Sequence, residues 1–400
     1  MNLMTATPNA LTDARALFPG LLQLTYLDVA GRAPLCTPVR AAIERFLDAA
    51  ETGGDKAAMF RSIEAARNAY ARLVNASADE IAITKNISEG LNIVANGIDW
   101  RPGDNVVLCE ELEHANNIYV WRNLARRLGV QVRSLPPQDG EYPVAAMAAA
   151  VDERTRIVTA CTHTFTPGFR TPLELLGQAC RRVGALLLLD GAQTVGIGHL
   201  DLAALPIDAL AVSTQKGLLG PYGMGFLYVR REWAERLSPV YLARFGVDLG
   251  EAGEAAAASG HLRLMPAARR FDLGNYNFLA AAAMEAALGL LDTVGAAHIE
   301  AHARALANQL AAGLCELGLP VRGGPVHPRR DHLVSVGNPG EGHNASGDAR
   351  MQSLYDALAA GGVKLSIRKD MLRFSFHLYN STDDVDRVLE IARGWSRSQG

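Results

Sequence analysis

The chain has little of what marks an exported, membrane-bound or nucleic-acid-binding protein. Its five cysteines are odd in number and form no CxxC pair, so neither a disulfide framework nor a metal site is expected. The 39 basic and 42 acidic residues are interspersed and form no basic stripe, which argues against a nucleic acid as partner. The most apolar run, residues 185–189, is far too short to cross a bilayer. We expect no membrane partner.

The N-terminal stretch has two prolines and an acidic residue and lacks the basic-then-apolar pattern of a secretory signal. Together with the reduced thiols that the cysteine spacing favours, this predicts a cytoplasmic protein.

The length and the apolar content predict two domains. With 400 residues, of which 49% are hydrophobic, the chain exceeds what one compact core usually holds. We predict a large domain over residues 20–285 and a small α+β domain over 286–400, with residues 1–19 packing on the small one. The Gly- and Ala-rich segment 251–262 is predicted to be a loop or a lid.

Short β-rich runs alternate with amphipathic stretches in the first of these domains. This alternation predicts an α/β fold with a mostly parallel sheet wrapped by helices. The predicted strands are residues 80–84, 105–110, 156–163, 185–192, 209–215 and 225–230. Ligands bind such sheets beyond the carboxyl ends of the strands. Polar residues follow the strands there, namely Ser88, Glu89, Glu113, His114, Thr164, Asp190, Gln193, Ser213 and Lys216.

Asp190 and Lys216 carry the central chemical signal. Asp190 ends a buried apolar strand, where its carboxylate could pair with a cationic ring nitrogen, and Lys216 follows the next strand with an amine for an aldehyde carbon. Alone, Asp190 could cap a helix and Lys216 could be a solvated surface lysine. Together, at the ends of successive strands, they favour a pyridoxal 5′-phosphate (PLP) site.

The DGAQ motif at residues 190–193 and the STQK motif at 213–216 resemble those of the class V aminotransferase family. The resemblance spans nearly the whole chain, from residue 25 to residue 386, and implies a fold type I PLP enzyme. By this resemblance Lys216 would be the Schiff-base lysine, Asp190 the partner of the ring nitrogen, and Gln193 a donor to the phenolic oxygen.

The resemblance also implies how the phosphate is held. Residues 84–95 match the family's first phosphate loop, so Ile87 and Ser88 would bind the phosphate at a helix N-terminus. Ser88 could equally be an ordinary N-cap. Ser213 and Gln215 would close the site from the other side. Asn275 would reach the phosphate of a neighbouring subunit, which implies a homodimer.

Further residues are assigned by the same resemblance. His114 would stack on the cofactor ring, and whether it also transfers protons is left open. Thr164 would offer the cofactor a hydroxyl, and Asn117 would lie at the substrate. Arg373 would grip the substrate's carboxylate, unless it pairs with a structural acid. Phe165 stands where many relatives have asparagine, which predicts either a looser grip on the substrate's carboxylate or a pocket shaped for a bulkier substrate.

The segment before Arg373 lacks the sulfur-accepting cysteine of cysteine desulfurases, so persulfide formation on the enzyme is not expected. The leading hypothesis is a carbon–sulfur lyase that catalyses β-elimination from cysteine or an S-conjugated cysteine. The alternatives are epimerisation, transamination, or decarboxylation coupled to oxidative deamination, for example in a lincosamide-type antibiotic pathway. A PLP-binding protein without turnover is the hypothesis of another class.

Overall fold

The computed structural model describes residues 9–251, 253, 260 and 262–398. Most of the predicted lid at 251–262 lies outside the described residues.

Helices and strands alternate along most of the described chain. The helices are α1 (Asn9–Ala16), α2 (Thr37–Ala50), α3 (Lys56–Leu73), α4 (Ile87–Gly97), α5 (Asn116–Leu128), α6 (Val144–Ala149), α7 (Glu174–Val183), α8 (Arg231–Arg236), α9 (Phe278–Val294), α10 (Ala296–Glu316), α11 (Ala349–Ala360) and α12 (Thr382–Ser398). The strands are β1 (Thr25–Tyr26), β2 (Ile81–Thr84), β3 (Asn105–Leu108), β4 (Gln131–Ser134), β5 (Thr155–Cys161), β6 (Leu186–Asp190), β7 (Ala209–Ser213), β8 (Gly225–Val229), β9 (Leu333–Val336), β10 (Val363–Lys364), β11 (Ser366–Arg368) and β12 (Met371–Ser375).

The large sheet has seven strands in the order β2-β8-β7-β6-β5-β3-β4. Strand β8 runs antiparallel to both of its neighbours, and the other pairs are parallel. The predicted α/β architecture and its six strands are confirmed. Strand β4 was not predicted because it is short, lies at the sheet edge and is half exposed, so its sequence QVRS carries no buried apolar run.

The centre of this sheet is buried on both faces. Residues Leu186 to Leu189 of β6 are fully buried, which is why that strand is a continuous apolar run rather than an alternating one. Helix α4 packs across β6, β7 and β8. The polar residues that follow these strands are therefore held at one edge of a rigid sheet.

A smaller antiparallel sheet, in the order β11-β12-β9, lies in the C-terminal part of the chain. Strand β1 pairs with β10, and Asp28 forms a bridge with Ser375 of β12. Segments from the N-terminal and C-terminal parts of the chain therefore contact each other beside this sheet. Helix α9 crosses the predicted boundary at 285/286 without a break and packs on α2 and α3. The domain boundaries stay a prediction.

Among the described helices, no single one is long and apolar enough to cross a membrane. Only α9 and α10 taken together, across a bend of 75°, have the length and composition to do so.

Candidate active site

A cleft of about 540 Å³ lies beyond the carboxyl ends of β5, β6 and β7 and beneath the β11–β12 hairpin. It collects most of the side chains that the sequence singled out. The predicted residues that line it are Ile87, Ser88, His114, Phe165, Asp190, Gln193, Ser213, Gln215, Lys216 and Arg373. Because parallel strands bring their carboxyl ends to one edge, residues more than a hundred positions apart meet here.

Asp190 and Lys216 both line the floor of the cleft, and their opposite charges attract each other. Asp190 is buried and its Oδ1 accepts a hydrogen bond from the Ala192 N–H at 2.9 Å. Burial raises the pKa of Asp190, while the nearby charge of Lys216 lowers it. Burial lowers the pKa of Lys216 to about 8, against the attraction of Asp190, which favours the protonated amine. At pH 7 about one tenth of the Lys216 amine is therefore unprotonated.

The N-terminus of α4 forms one end of the cleft. Asn86 caps this helix, since its Oδ1 accepts a hydrogen bond from the Glu89 N–H at 3.0 Å. The Ile87 N–H donates to Ser213 Oγ at 2.9 Å, and Ser88 lies beside them in the cleft wall. A helix N-terminus with serine hydroxyls close by is a favourable anion site.

Polar groups in the cleft lack partners within the described part of the chain. The Oε1 of Gln193 is buried and makes no hydrogen bond, although its Nε2 donates to the Ala30 carbonyl oxygen at 3.2 Å. The side chain of Lys216 is half-buried and lines the cleft, and its amine has no hydrogen-bond or ion-pair partner among the described residues. A buried acceptor such as Gln193 Oε1 is costly unless a ligand satisfies it. An amine, a carboxylate and a helix N-terminus together fit a phosphorylated pyridine aldehyde.

His114 is held at the cleft wall as a neutral imidazole. Desolvation lowers the pKa of His114, and the charge of Lys216 lowers it further. Its Nδ1 lies 3.3 Å from the Asn116 N–H, which donates to it, so the proton of the neutral ring is on Nε2. The ring stands edge-on to Phe165, with 6.1 Å between the ring centroids. Its roles in stacking and proton transfer stay predictions.

Arg373 is buried and held on three sides. Its Nε donates to Ser366 Oγ at 3.1 Å, its Nη1 donates to the Phe165 carbonyl oxygen at 3.0 Å, and its Nη2 lies 3.5 Å from Asp28 Oδ1. Burial lowers the pKa of Arg373 to about 10, and Asp28 opposes this. The guanidinium is therefore still charged at neutral pH, and it faces the cleft.

Asn117 does not contact the cleft, so its assignment to the substrate is corrected. It is fully buried on the inner side of α5, where its Nδ2 donates to Glu113 Oε2 and Thr159 Oγ1, both at 2.9 Å. Its Oδ1 accepts a hydrogen bond from Trp121 Nε1 at 3.1 Å. The amide group of Asn117 is therefore fully engaged in hydrogen bonds within the core.

Thr164 does not line the cleft, and its hydroxyl accepts hydrogen bonds from the backbone, so its contact with the cofactor stays a prediction. Its Oγ1 accepts hydrogen bonds from the N–H groups of Gly168 and Phe169, at 2.9 and 3.1 Å, and so closes the turn after β5. Asn275 is exposed and lies away from the cleft of its own chain. Its predicted contact with a second subunit stays a prediction.

Sequence reasoning assigned no role to a buried cluster at the floor of the cleft. Glu113 accepts a hydrogen bond from the Tyr142 hydroxyl at 2.5 Å and lies 3.2 Å from Cys161 Sγ. Burial raises the pKa of Glu113 to about 7. The available signal was that Glu113 directly precedes His114 after a strand. Two further cleft residues, His343 and Arg368, were missed because neither belongs to a motif that the sequence analysis used.

Comparisons with known proteins agree with this geometry. The family model described as aminotransferase class-V matches residues 25–388. A probable cysteine desulfurase of Methanothermobacter thermautotrophicus is 34% identical over 322 residues, which cover 78% of each chain. A cysteine desulfurase of Dickeya dadantii is 30% identical over 331 residues, which cover 78% of this chain and 76% of that protein.

Solved structures show the same fold. A cystine C–S lyase in complex with its reaction product, cysteine persulfide, is 25% identical, with a TM-score of 0.82 over 94% of this chain and 99% of that one. Another structure, also 25% identical and with a TM-score of 0.83 over 94% of this chain and 98% of that one, carries glycine covalently linked to its PLP cofactor.

Fold and site together define a fold type I, PLP-dependent enzyme. The chain belongs to the aminotransferase class-V family. When bound, PLP withdraws electrons from the bond at the substrate's Cα that stands perpendicular to its ring.

Proposed function

We propose that this protein is a carbon–sulfur lyase that acts on cysteine or an S-conjugated cysteine. In this reaction a proton leaves Cα, the Cβ–S bond breaks, and the sulfur departs as a thiol. With one water, the remaining fragment gives pyruvate and ammonia. The observation that carries the proposal is the β11–β12 hairpin, which leaves no room for a sulfur-accepting cysteine.

The turn of the β11–β12 hairpin is very short. Arg368 pairs with Met371, so only Lys369 and Asp370 form the turn, and both have positive φ angles, 50° and 63°. That conformation is typical of the two-residue turns whose twist matches the flanking strands. The backbone N–H of Gly347 donates to Asp370 Oδ1 at 2.7 Å and ties the turn to a neighbouring loop. A mobile loop that carries a cysteine has no place here.

The cysteines elsewhere offer no replacement. Cys161 is the one that lines the cleft among the described residues, and it is 4% exposed. Burial raises the pKa of the Cys161 thiol well above its ordinary value, and the adjacent Glu113 raises it further. Sulfur acceptance requires a thiolate, which this environment disfavours. The sulfur is therefore expected to leave as a free thiol.

The chain's own residues supply the remaining parts of the reaction. Lys216 would hold the cofactor and, once free, take the Cα proton, since its lowered pKa of about 8 leaves part of the amine unprotonated. Asp190 would keep the ring nitrogen protonated. Arg373 would orient the substrate by its α-carboxylate, and the apolar ring of Phe165 would exclude water from the departing sulfur.

Cystine joins the candidate substrates because a structural neighbour is a cystine C–S lyase. The proposal carries three further expectations: a homodimer that shares Asn275 across its interface, a cytoplasmic location and a place in an antibiotic pathway. They rest on the sequence.

The experiment is product analysis of the PLP-loaded enzyme with cysteine, cystine and S-alkyl cysteines, using mass spectrometry. We expect equal amounts of pyruvate and of the thiol or persulfide released. Lys216→Ala is the control and should release neither. Alanine, a racemised amino acid, a keto acid that retains the sulfur substituent, or a decarboxylated aldehyde as the main product would contradict the proposal.

A further inference from the structure

Glu113 is a buried acid in the floor of the cleft, and the proposed reaction does not use it. Three side chains enclose its carboxyl. Its Oε1 lies 2.5 Å from the Tyr142 hydroxyl, and its Oε2 lies 2.9 Å from Asn117 Nδ2 and 3.2 Å from Cys161 Sγ. Within the described part of the chain, no cation forms an ion pair with Glu113. A negative charge on this carboxyl is therefore not neutralised by a neighbour and acts on other groups of the cleft.

The cluster can hold one proton or release it without leaving the carboxyl unpaired. When Glu113 is ionised, Tyr142, Asn117 and Cys161 all donate hydrogen bonds to it. When Glu113 is protonated, its own hydroxyl donates to the Tyr142 oxygen. The Tyr142 hydroxyl then turns to Cys161 Sγ at 3.2 Å, and the Cys161 thiol turns to the Leu112 carbonyl oxygen at 3.8 Å. Only hydrogen positions differ between the two arrangements, so the same fold accommodates both charge states.

Strand register places this cluster beside Asp190. Cys161 ends β5 and pairs directly with Asp190, which ends β6, in the parallel part of the sheet. Paired residues on neighbouring strands point to the same face, and such strands are about 4.8 Å apart. Because Cys161 Sγ lies 3.2 Å from Glu113 Oε2, the two carboxyls are separated by about the Cys161 side chain, on the order of 10 Å. All three residues line the cleft.

The electrostatics of the neighbouring groups agree with this proximity. Burial is the main cause of the raised pKa of Glu113, and the charge of Asp190 raises it further. Glu113 in turn adds to the effect of burial in raising the pKa values of the Cys161 thiol and of the Cys109 thiol, which directly follows β3. The titratable groups in electrostatic contact with Glu113 are thus Tyr142, Cys161, Cys109 and Asp190, and none of these four is cationic.

We propose that Glu113 is a positioning residue that acts on the cofactor together with Asp190. When Glu113 is ionised, its charge reinforces that of Asp190 and holds protons on the nitrogen atoms of bound PLP more strongly than Asp190 does alone. A nearby negative charge favours the protonated form of a nitrogen, and a protonated ring is the better electron sink. This role follows from the PLP site alone and holds whichever bond at Cα or Cβ the enzyme breaks.

The test is a pH titration of the absorbance of the PLP-loaded protein without substrate. The visible band of PLP joined to a lysine changes when the joining nitrogen loses its proton, so the band reports the proton affinity next to Lys216. We expect the midpoint in Glu113→Gln to lie about one pH unit below that of the wild type. A unit charge about 10 Å away, in a medium of effective dielectric constant about 20, changes a proton affinity by about this amount.

Two further variants separate charge from packing. Glu111→Gln is the matched control, because it makes the same substitution at a neighbouring exposed carboxyl, whose charge solvent screens. It should keep the wild-type midpoint. Tyr142→Phe keeps the aromatic ring and removes a donor to the Glu113 anion, so that Glu113 ionises at a higher pH. The midpoint in this variant should move in the same direction as in Glu113→Gln, by a smaller amount.

A band that follows the same pH dependence in Glu113→Gln and in the wild type overturns the proposal. The same holds if Glu113→Gln only weakens PLP binding and leaves the midpoint in place, since Glu113 would then merely pack the floor of the cleft. A midpoint that falls equally in Glu111→Gln also contradicts it. No substrate enters this experiment, so a failure of the lyase function, seen in product analysis, leaves its outcome unchanged.

Discussion

Replacing Glu113 with glutamine should remove a pH-dependent contribution to the stability of the folded protein. The carboxyl is 4% exposed and is enclosed by Tyr142, Asn117 and Cys161. Burial raises its pKa from the ordinary value of 4.5 to about 7, although the hydrogen bonds from Tyr142 and Asn117 work in the opposite direction. The folded state thus holds the proton more tightly than the unfolded chain does.

The sign and size follow from this difference. A raised pKa in the folded state means that the stabilisation is fully present below pH 4.5 and is lost as the pH rises through about 7. The gap between the two pKa values corresponds to about 3 kcal/mol in full, of which about 2–3 kcal/mol falls between pH 5 and pH 8. Glutamine has nearly the same shape but does not titrate, so the variant lacks this slope.

The assay is urea unfolding of the wild type and Glu113→Gln at several pH values from 5 to 8. The wild type minus variant difference in the free energy of unfolding should shrink by about 2–3 kcal/mol across that range. Glu111→Gln is the matched control, because it makes the same substitution at a neighbouring carboxyl that is exposed to solvent. A constant difference for Glu113→Gln would refute the reasoning and mean that Glu113 is ionised in the folded protein.

The cleft yields three further predictions. Asp190→Asn should still bind PLP, seen in its absorbance spectrum, but should lose most turnover, because the neutral amide cannot keep the ring nitrogen protonated; full activity would remove Asp190 from this role. Arg373→Ala should cost about 2–5 kcal/mol in kcat/KM, mostly from an α-carboxylate left without its partner, and Arg373→Lys should recover little of it. Phe165→Asn should shift the ratio of kcat/KM from a bulky S-conjugate toward cysteine, and an unchanged ratio would show that Phe165 only packs the pocket.

The main parts of the site could be predicted from the sequence because parallel strands deliver their carboxyl ends to one edge. Asp190 ends β6 and Lys216 follows β7, and these two strands are parallel neighbours in the sheet. Their positions at the strand ends were therefore enough to predict that the two side chains lie close together. The absence of a cysteine near Arg373 is equally a property of the sequence alone. So is the short length of the segment that became the hairpin.

Tertiary structure decided which polar residues face the cleft. Asn117 and Thr164 follow strands just as His114 and Asp190 do, yet Asn117 bonds within the core and the Thr164 hydroxyl accepts from the backbone of a turn. Sequence spacing cannot separate these cases, because the direction of a side chain after a strand depends on the backbone of the helix or turn that follows.

The Glu113 cluster comes from the fold itself. Glu113, Tyr142 and Cys161 lie on three separate segments, and their burial together is what raises the pKa of the carboxyl. The sequence determined the class of chemistry, because covalent and acid–base groups are fixed by residue type. The shape and charge of the substrate that the cleft accepts depend on packing between distant segments, and that packing arises only when the chain folds.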